Sequence, residues 1–434
     1  MPRSRSGRPS ALEPRAKEDN STHSSRIELA GVAFAISAGF VVAVWNEDLF
    51  PPAYLLRPLV VVGVMSIIVG LLASFFRFHS HMIAAALSAL LVRPGEWVTL
   101  GLVLVMAFVV AAQIRGRRFG SRAAVSIFAA VFLLSGVVQA STHRVPAPPR
   151  TPWDAEVPTY VVLLDGYPRA DNLSEWGVDV SDFIAELEER GFDHYSNAES
   201  SSVWTHHALS RLFGGESPAT DEFGTVDDVR EAAGEWSLPE GWVVIPPPIG
   251  HVTIPHRRAI APLVITDLEI NLLGGSLPGR LTSGLVMDGL RAHLAESLEA
   301  LASTEETLVF AHLISPHPPF LYNEGGVPAE APKCWPECLI FEVNPEFELS
   351  PTEWIRRAAP DIAHLNAQIL SAVDSIIAKN PDARIVLFSD HGGRFDPTDQ
   401  DEWRQAFLAA RTPDKPRLFG NKPLVDTLFT DLGE

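Results

Sequence analysis

The sequence predicts an anchor of about five transmembrane helices, followed by an α/β domain with a mostly parallel central sheet. Charge and hydropathy divide the chain near residue 150. Residues 1–150 contain five apolar runs and carry 15 Lys/Arg against 7 Asp/Glu, a net charge of +8, whereas residues 151–434 carry 19 against 46, a net charge of −27. A Pro-rich stretch separates the two parts, and short apolar strands alternate with helices after it.

This composition excludes one class of protein and disfavours another. A simple soluble enzyme is excluded because apolar runs of spanning length need lipid. Nucleic acid is not expected as a partner, because a domain with a net charge of −27 repels phosphate backbones.

The first part begins with a tail and continues as spans. Residues 1–26 are rich in Ser, Arg and Pro and lack apolar periodicity, so we expect a disordered basic tail in the cytoplasm. Residues 27–141 contain the five runs, four of which approach the roughly 17–25 residues that a spanning helix needs. The runs are 29–45, 59–76, 82–92, 97–114 and 123–140.

Basic residues predict the orientation of the anchor. Arg-rich segments beside spans stay in the cytoplasm, which applies both to the tail and to the cluster at 115–118. An even number of crossings must separate these segments, and counting the short run 82–92 gives four. Five spans then place the C-terminal part on the extracytoplasmic side of the cell membrane. The alternative is a four-span bundle with a cytoplasmic C-terminal domain.

The second part follows a linker, residues 142–158, which contains five prolines. Residues 159–434 are expected to form one exported domain. Its expected strands are 160–164, 242–245, 307–314 and 383–388, and its expected helices are 181–190, 289–301 and 362–378. Strands that are apolar along their whole length are typical of a parallel sheet covered on both faces.

Metal-binding residue types follow three of these strands. Asp165 ends the first strand, His317 follows the third, and Asp390-His391-Gly392-Gly393 follows the last. Ligands bind at the carboxyl ends of parallel strands, and Asp and His bind divalent metals. Asp390 and His391 can face one ion if the chain turns at once, which the glycines allow. The alternatives are an ordinary turn and, for Asp165, a helix cap.

A hydroxyl residue, Thr205, stands at the start of a predicted helix in WTHHALSRLF. Free N–H groups at a helix start stabilise a phosphoryl group, and a metal-coordinated hydroxyl can ionise and act as a nucleophile. The alternative for Thr205 is a simple N-cap. Of the neighbouring His206 and His207, at most one is expected to face the site.

Several further residues have two open interpretations. His312, inside the third strand, is expected to be a core histidine or one that supports a ligand. His317 can protonate a leaving group, bind substrate or a second ion, or be an ordinary loop histidine. Cys334 and Cys338 predict a local disulfide on the oxidising side of the membrane. Three arginines are either phosphate contacts or solvated surface residues: Arg211, Arg356 and Arg357.

Four segments together resemble the alkaline phosphatase superfamily. The resemblance is to its membrane-anchored sulfatase-like branch, which includes lipoteichoic acid synthases and phosphoethanolamine transferases. The segments are VVLLDG ending at Gly166, WTHHALSRLFGG at 204–215, HLISPHPPF at 312–320 and FSDHGG at 388–393. The resemblance covers most of residues 159–395, and it implies an alkaline-phosphatase-like α/β fold for the exported domain.

The resemblance also implies a site and a reaction. It implies that Asp165, Thr205, Asp390 and His391 surround one divalent ion, which would be Mn, Zn or Mg. Thr205 would attack phosphorus, and His317 would contact the phosphoryl group or protonate the leaving oxygen. The implied partners are a membrane lipid and a phosphate-ester substrate of the cell envelope.

The sequence departs from the branch in three ways. Lipoteichoic acid synthases have Glu where Asp165 stands, a full second-metal set is not evident, and the chain ends soon after FSDHGG. True sulfatases carry a C/S-x-P-x-R pattern that residues 205–209 lack, so phosphoryl transfer is favoured over sulfate ester hydrolysis. Two functions remain: a metal-dependent phosphotransferase or phosphodiesterase of the envelope, and a non-catalytic sulfatase-like protein that binds an envelope ligand.

Overall fold

The computed structural model describes residues 67–68, 157–213, 241–248, 277–331, 350–395, 399–421 and 423–433. The predicted tail, nearly all of the spans and the linker, and the cysteine pair Cys334 and Cys338 lie outside these residues. The chain divides into two compact units, and every described residue except 67 and 68 belongs to the second. Within the described ranges, no helix has both the length and the apolar character needed to cross a membrane.

A six-stranded sheet forms the centre of the second unit. Its strands in chain order are β1 (Thr159–Leu164), β2 (Asp193–His194), β3 (Val243–Ile245), β4 (Leu308–Leu313), β7 (Arg384–Phe388) and β8 (Leu408–Arg411), and a separate hairpin pairs β5 (Tyr322–Asn323) with β6 (Val327–Pro328). The spatial order in the sheet is β2-β8-β7-β1-β4-β3. Strands β7, β1, β4 and β3 are parallel, whereas β8 is antiparallel to its neighbours. The predicted mostly parallel sheet is therefore confirmed.

Helices cover both faces of this sheet. They are α1 (Ala170–Glu175), α2 (Ser181–Glu189), α3 (Thr205–Leu212), α4 (Leu277–Ser303), α5 (Pro351–Lys379), α6 (Gln400–Arg404) and α7 (Leu428–Gly433). Strand β1 is buried along its whole length, and its alternate side chains enter two cores. Val162 packs in the core that α4 and α5 cover, while Val161 packs in the core that α3 and α7 cover.

Two helices are longer than the sequence predicts. Helix α5 begins at Pro351, eleven residues before the predicted start, because the segment before Ile362 is polar and contains Pro360, which hides the apolar periodicity. Its start has a recognisable cap, since the Ser350 hydroxyl accepts a hydrogen bond from the N–H of Glu353 and proline follows directly. Helix α4 likewise extends beyond the predicted range at both ends.

The register of the parallel strands aligns their carboxyl ends. Leu163 in β1 lies opposite Phe388 in β7 and opposite His312 in β4. Asp165 lies two residues after Leu163, and Asp390 lies two residues after Phe388. The two carboxylates are therefore delivered to the same edge of the sheet, on neighbouring central strands.

Candidate active site

Asp165, Asp390 and His391 come together where β1 and β7 end. One polar atom from each lies within 4.8 Å of the other two, and all three residues are buried. The Nε2 atom of His391 is 3.7 Å from Oδ1 of Asp165 and 3.6 Å from Oδ2 of Asp390. These separations are too long for hydrogen bonds, but they suit atoms that share one ion at about 2.0–2.2 Å from each.

Each of the three side chains uses its other polar atom for a contact within the protein. His312 Nε2 donates to Oδ2 of Asp165 at 2.8 Å, and the N–H of Gly166 donates to Oδ1 of Asp390 at 3.1 Å. His391 Nδ1 lies 2.8 Å from the carbonyl oxygen of the next residue. A carbonyl can only accept, so Nδ1 carries the proton and the lone pair of His391 is on Nε2.

The three remaining atoms are Oδ1 of Asp165, Oδ2 of Asp390 and Nε2 of His391. None of them has a hydrogen-bond partner among the described residues, although each is buried. Buried polar atoms are normally hydrogen-bonded, and two adjacent carboxylates repel each other unless a cation lies nearby. The chemistry of this donor set therefore fits one divalent metal ion.

The electrostatic environment keeps Asp165 ionised. Burial opposes ionisation of this carboxyl, but the neighbouring imidazoles of His317, His312 and His391 outweigh it and hold its pKa below the usual value. His312 is buried and hydrogen-bonded to Asp165. An ionised Asp165 is the form that can bind a cation.

His317 lies beside these three candidate ligand residues. It is 8% exposed, and the centre of its ring is 6.5 Å from that of His391. Its Nδ1 atom lies 2.7 Å from the carbonyl oxygen of Pro318, so that nitrogen carries a proton. The Nε2 atom is then the position at which this ring can exchange a proton with a substrate.

The loop that carries His317 is attached to α5 through Asp361, which is fully buried. The hydroxyl of Ser315 donates to Oδ2 of Asp361 at 2.8 Å, and the N–H groups of Leu321 and Tyr322 both donate to Oδ1 at 2.9 Å. Burial raises the pKa of Asp361 to about 6, although these three hydrogen bonds act in the opposite direction. Asp361 is absent from the predicted site residues, because only the folded chain brings it to this loop.

Thr205 is the first residue of α3 and is buried, with 8% exposure. Trp204 occupies the cap position, and its side chain makes no capping hydrogen bond. Thr205 is therefore not the N-cap that its alternative interpretation predicted. Of the two neighbouring histidines, His207 is buried, and the side chain of His206 lies outside the described residues.

Arg394 is absent from the predicted site residues, yet it lies at this site. It follows the FSDHGG segment directly, and its guanidinium is 4.5 Å from the ring centre of Trp204 and 5.7 Å from that of Trp403. It also donates a hydrogen bond to the carbonyl oxygen of Val203. Burial lowers the pKa of Arg394 to about 9, and the charge of Asp165 opposes this shift. The only signal in the sequence is its position after the motif.

The three arginines that the sequence suggested as phosphate contacts have other partners. Arg356 and Arg357 both pair with Glu353, and the Arg356 side chain is 67% exposed. Arg211 bonds to the hydroxyl of Ser201 and lies 3.6 Å from the Asp426 carboxylate. Each of these three arginines therefore has a carboxylate of the protein as its partner.

A small, partly open cleft lies beside the candidate ligand residues. Its polar side includes His317, His391 and Arg394, and its apolar side includes Phe320 and Trp354. The two apolar rings pack edge to face with their centres 5.3 Å apart. The cleft thus offers cationic and imidazole groups at one side and an aromatic surface at the other.

The mostly parallel sheet and the convergence of Asp165, Asp390 and His391 agree with the resemblance to the alkaline-phosphatase-like, sulfatase-like superfamily. No family model matches the chain, and no curated protein matches it. Solved structures do match. The periplasmic domain of EptC from Escherichia coli, in complex with Zn, is 14% identical, with a TM-score of 0.38, and the match covers 66% of this chain and 86% of that one.

Two further matches have the same character. Lipooligosaccharide phosphoethanolamine transferase A from Neisseria meningitidis, an integral membrane protein, is 14% identical with a TM-score of 0.38, and the match covers 90% of this chain and 77% of that one. The phosphonate monoester hydrolase of Agrobacterium radiobacter is 15% identical with a TM-score of 0.37, over 64% of this chain and 74% of that one.

Proposed function

We propose that the protein is a metal-dependent phosphotransferase or phosphodiesterase that acts on a lipid or polymer of the cell envelope. The observation that carries the proposal is the convergence of three buried polar atoms without hydrogen-bond partners, from Asp165, Asp390 and His391. The five apolar runs and the basic segments beside them favour an anchor in the cell membrane, with residues 159–434 on the extracytoplasmic side.

Four residues would hold one divalent ion, Mn, Zn or Mg: Asp165, Thr205, Asp390 and His391. Carboxylate, hydroxyl and imidazole ligands are compatible with each of these metals. When bound, the ion would lower the pKa of a hydroxyl and balance negative charge on phosphoryl oxygens.

Thr205 would act as the nucleophile. Its oxygen would form a bond to phosphorus while the bond from phosphorus to the leaving ester oxygen breaks. Thr205 begins α3, so the free N–H groups of the first helical turn would stabilise the negative phosphoryl oxygens. A hydroxyl of the acceptor, or water, would then attack the same phosphorus and release Thr205.

His317 would supply the proton for the leaving oxygen. The Nδ1 proton is engaged with the carbonyl of Pro318, so Nε2 would carry the proton that is transferred. Asp361 would keep the loop of His317 in place through its bonds to Ser315 and to the backbone beyond Phe320. Proton transfer therefore depends on a residue that does not touch the substrate.

The test is turnover by the full-length chain, purified in detergent. Bis(p-nitrophenyl) phosphate and p-nitrophenyl phosphate are offered with Mn, Zn, Mg or EDTA. Thr205→Ala should lower metal-dependent turnover at least ~1,000-fold, since removal of a nucleophile abolishes most of the rate enhancement. Thr205→Ser should retain part of it, and mass spectrometry should detect a phosphorylated Thr205 in the parent.

The control is Thr427→Ala, because Thr427 is exposed and its hydroxyl donates to the nearby carbonyl oxygen of Leu424. It should behave like the parent protein. Full metal-dependent turnover by Thr205→Ala would refute the nucleophile. Tight metal binding without turnover of these esters or of phosphoethanolamine lipids would favour the second hypothesis, a non-catalytic protein that binds an envelope ligand.

A further inference from the structure

We propose that Arg394 binds the phosphoryl group of the substrate and that Trp204 and Trp403 hold its guanidinium in position for this. The inference rests on the proposed function and adds a substrate-binding residue to it. No sequence segment that resembles the superfamily includes Arg394, since FSDHGG ends at Gly393. The argument comes from its backbone, its aromatic neighbours, its place in the cleft and the charges of the site.

The backbone of Arg394 has a positive φ of 53°. This left-handed conformation costs a residue with a side chain roughly 1–2 kcal/mol, and such conformations persist where surrounding contacts determine them, often at functional sites. Gly392 and Gly393 precede it, and each packs too closely against a neighbour for a Cβ atom to fit without a shift. The turn after His391 is thus fixed, and it directs the Arg394 side chain towards the cleft.

Two tryptophans flank the guanidinium. The distances of 4.5 Å to the ring of Trp204 and 5.7 Å to the ring of Trp403 lie within the range of cation–π attraction, about 6 Å. Contact with aromatic rings restricts the plane of a guanidinium. A guanidinium restricted in this way loses little conformational freedom when it binds a phosphate, which it contacts with two parallel hydrogen bonds.

Arg394 lines the cleft together with His317 and His391. Among the described residues, no other Arg and no Lys lines it. The two carboxylates of Asp165 and Asp390 together balance the charge of one divalent ion. The negative charge of an incoming phosphate ester therefore has to be balanced by other groups of the cleft, and Arg394 is placed to do this beside the protonated ring of His317.

Arg394 also contacts the segment that leads into the nucleophile. It donates a hydrogen bond to the carbonyl oxygen of Val203 and stacks on Trp204, and Thr205 is the next residue. One side chain would thus contact both the phosphoryl group and the backbone that positions Thr205. This arrangement would fix the approach of phosphorus relative to the attacking oxygen.

The experiment measures binding of inorganic phosphate to the full-length chain in detergent, with Mn²⁺ bound, by isothermal titration calorimetry. Arg394→Met keeps an unbranched apolar side chain beside the rings but removes the donors and the charge. We expect its dissociation constant for phosphate to rise at least tenfold, equivalent to about 1.4 kcal/mol, with Mn²⁺ affinity unchanged within twofold. Arg394→Lys should raise the dissociation constant at least threefold, because lysine lacks the planar pair of donors.

The matched control is Arg356→Met, since Arg356 is exposed and paired with Glu353. It should bind phosphate like the parent. Unchanged phosphate affinity in Arg394→Met, or no phosphate binding by the parent, would overturn the inference. If Arg394→Met does not fold, Arg394→Lys decides, and unchanged affinity in that variant overturns it equally.

Phosphate binding is measured without turnover, so this inference and the proposed function can fail separately. A protein that binds phosphate through Arg394 but shows no metal-dependent turnover would support the former and contradict the latter. Turnover that depends on Thr205, together with a phosphate affinity that does not depend on Arg394, would support the proposed function and contradict this inference.

Discussion

Replacement of Asp361 by asparagine should change how the stability of the protein depends on pH. Burial raises the pKa of the Asp361 carboxyl from 3.8 to about 6. Below pH 3.8 the group is protonated in both the folded and the unfolded chain. Between pH 3.8 and about 6 the unfolded chain loses the proton while the folded chain keeps it. The contribution of Asp361 to the free energy of unfolding therefore falls as pH rises through this window. This contribution is lowest above pH 6.

The size of the effect follows from the shift. A change of about two pKa units corresponds to roughly 3 kcal/mol, at 1.36 kcal/mol per unit. Asparagine has no such titration, and it can still accept from the N–H groups of Leu321 and Tyr322 and donate to Ser315. Relative to the parent, Asp361→Asn should therefore gain about 3 kcal/mol in stability between pH 4 and pH 7. For a unit of this size, that is a gain of roughly 6–12 °C in Tm.

The assay is thermal unfolding of the full-length chain in detergent without added metal, followed by tryptophan fluorescence at pH 4, 5, 6 and 7. Asp374→Asn is the control, since Asp374 lies on the same helix but is exposed and pairs with Arg190. The hydrogen bond from Arg190 lowers the pKa of Asp374. The stability that Asp374 contributes is therefore present above the pKa that this group has in the unfolded chain, and it is lost as pH falls. A Tm difference between Asp361→Asn and the parent that is equal at pH 4 and pH 7 would refute the reasoning.

Three further variants and one control test the site and the turn behind it. Asp390→Asn should lower Mn²⁺ affinity at least ~100-fold in calorimetry, and His312→Phe should lower it about 10- to 100-fold, because one ligand carboxylate loses its hydrogen-bond donor. Unchanged affinity in Asp390→Asn would contradict its role as a ligand. Gly392→Ala should reduce stability by roughly 1–3 kcal/mol, because the methyl group would meet the backbone carbonyl oxygen of Glu402. The control is Gly284→Ala in α4, where a methyl group would meet nothing within 4 Å, and this variant should raise stability by up to about 1 kcal/mol. Equal Tm values for the two glycine variants would contradict the close approach of Gly392 to Glu402.

The central strands could be predicted from the sequence because their apolar runs are short, continuous and followed by polar residues. The structure places strands β1, β4 and β7 within two residues, at each end, of the predicted segments 160–164, 307–314 and 383–388. Strand β8 was not predictable in the same way, since its sequence LAAR is short and its two alanines favour no strand. Its place beside β7 arises from pairing, which the local sequence does not encode.

The candidate site was predictable to the extent that it lies in local motifs. Asp165, Asp390 and His391 follow strands, and parallel strands end at one edge, so their meeting could be inferred before the structure. Arg394 and Asp361 contact residues that are distant along the chain, Trp204 in one case and Ser315 in the other. Nothing in the neighbouring sequence identifies those partners. The nucleophilic role of Thr205 stays a prediction that awaits the turnover experiment.

The alignment of β1 with β7 has a consequence for how chains of this fold can evolve. An insertion or deletion of one residue within either strand would turn every following side chain to the other face of the sheet, and Asp165 would no longer lie beside Asp390. The edge strands β2 and β3 are only two and three residues long. Neither of them contributes Asp165, Asp390 or His391. Lineages that keep the site should therefore conserve the lengths of the inner strands, while gains and losses of residues accumulate at the sheet edges and in the connections.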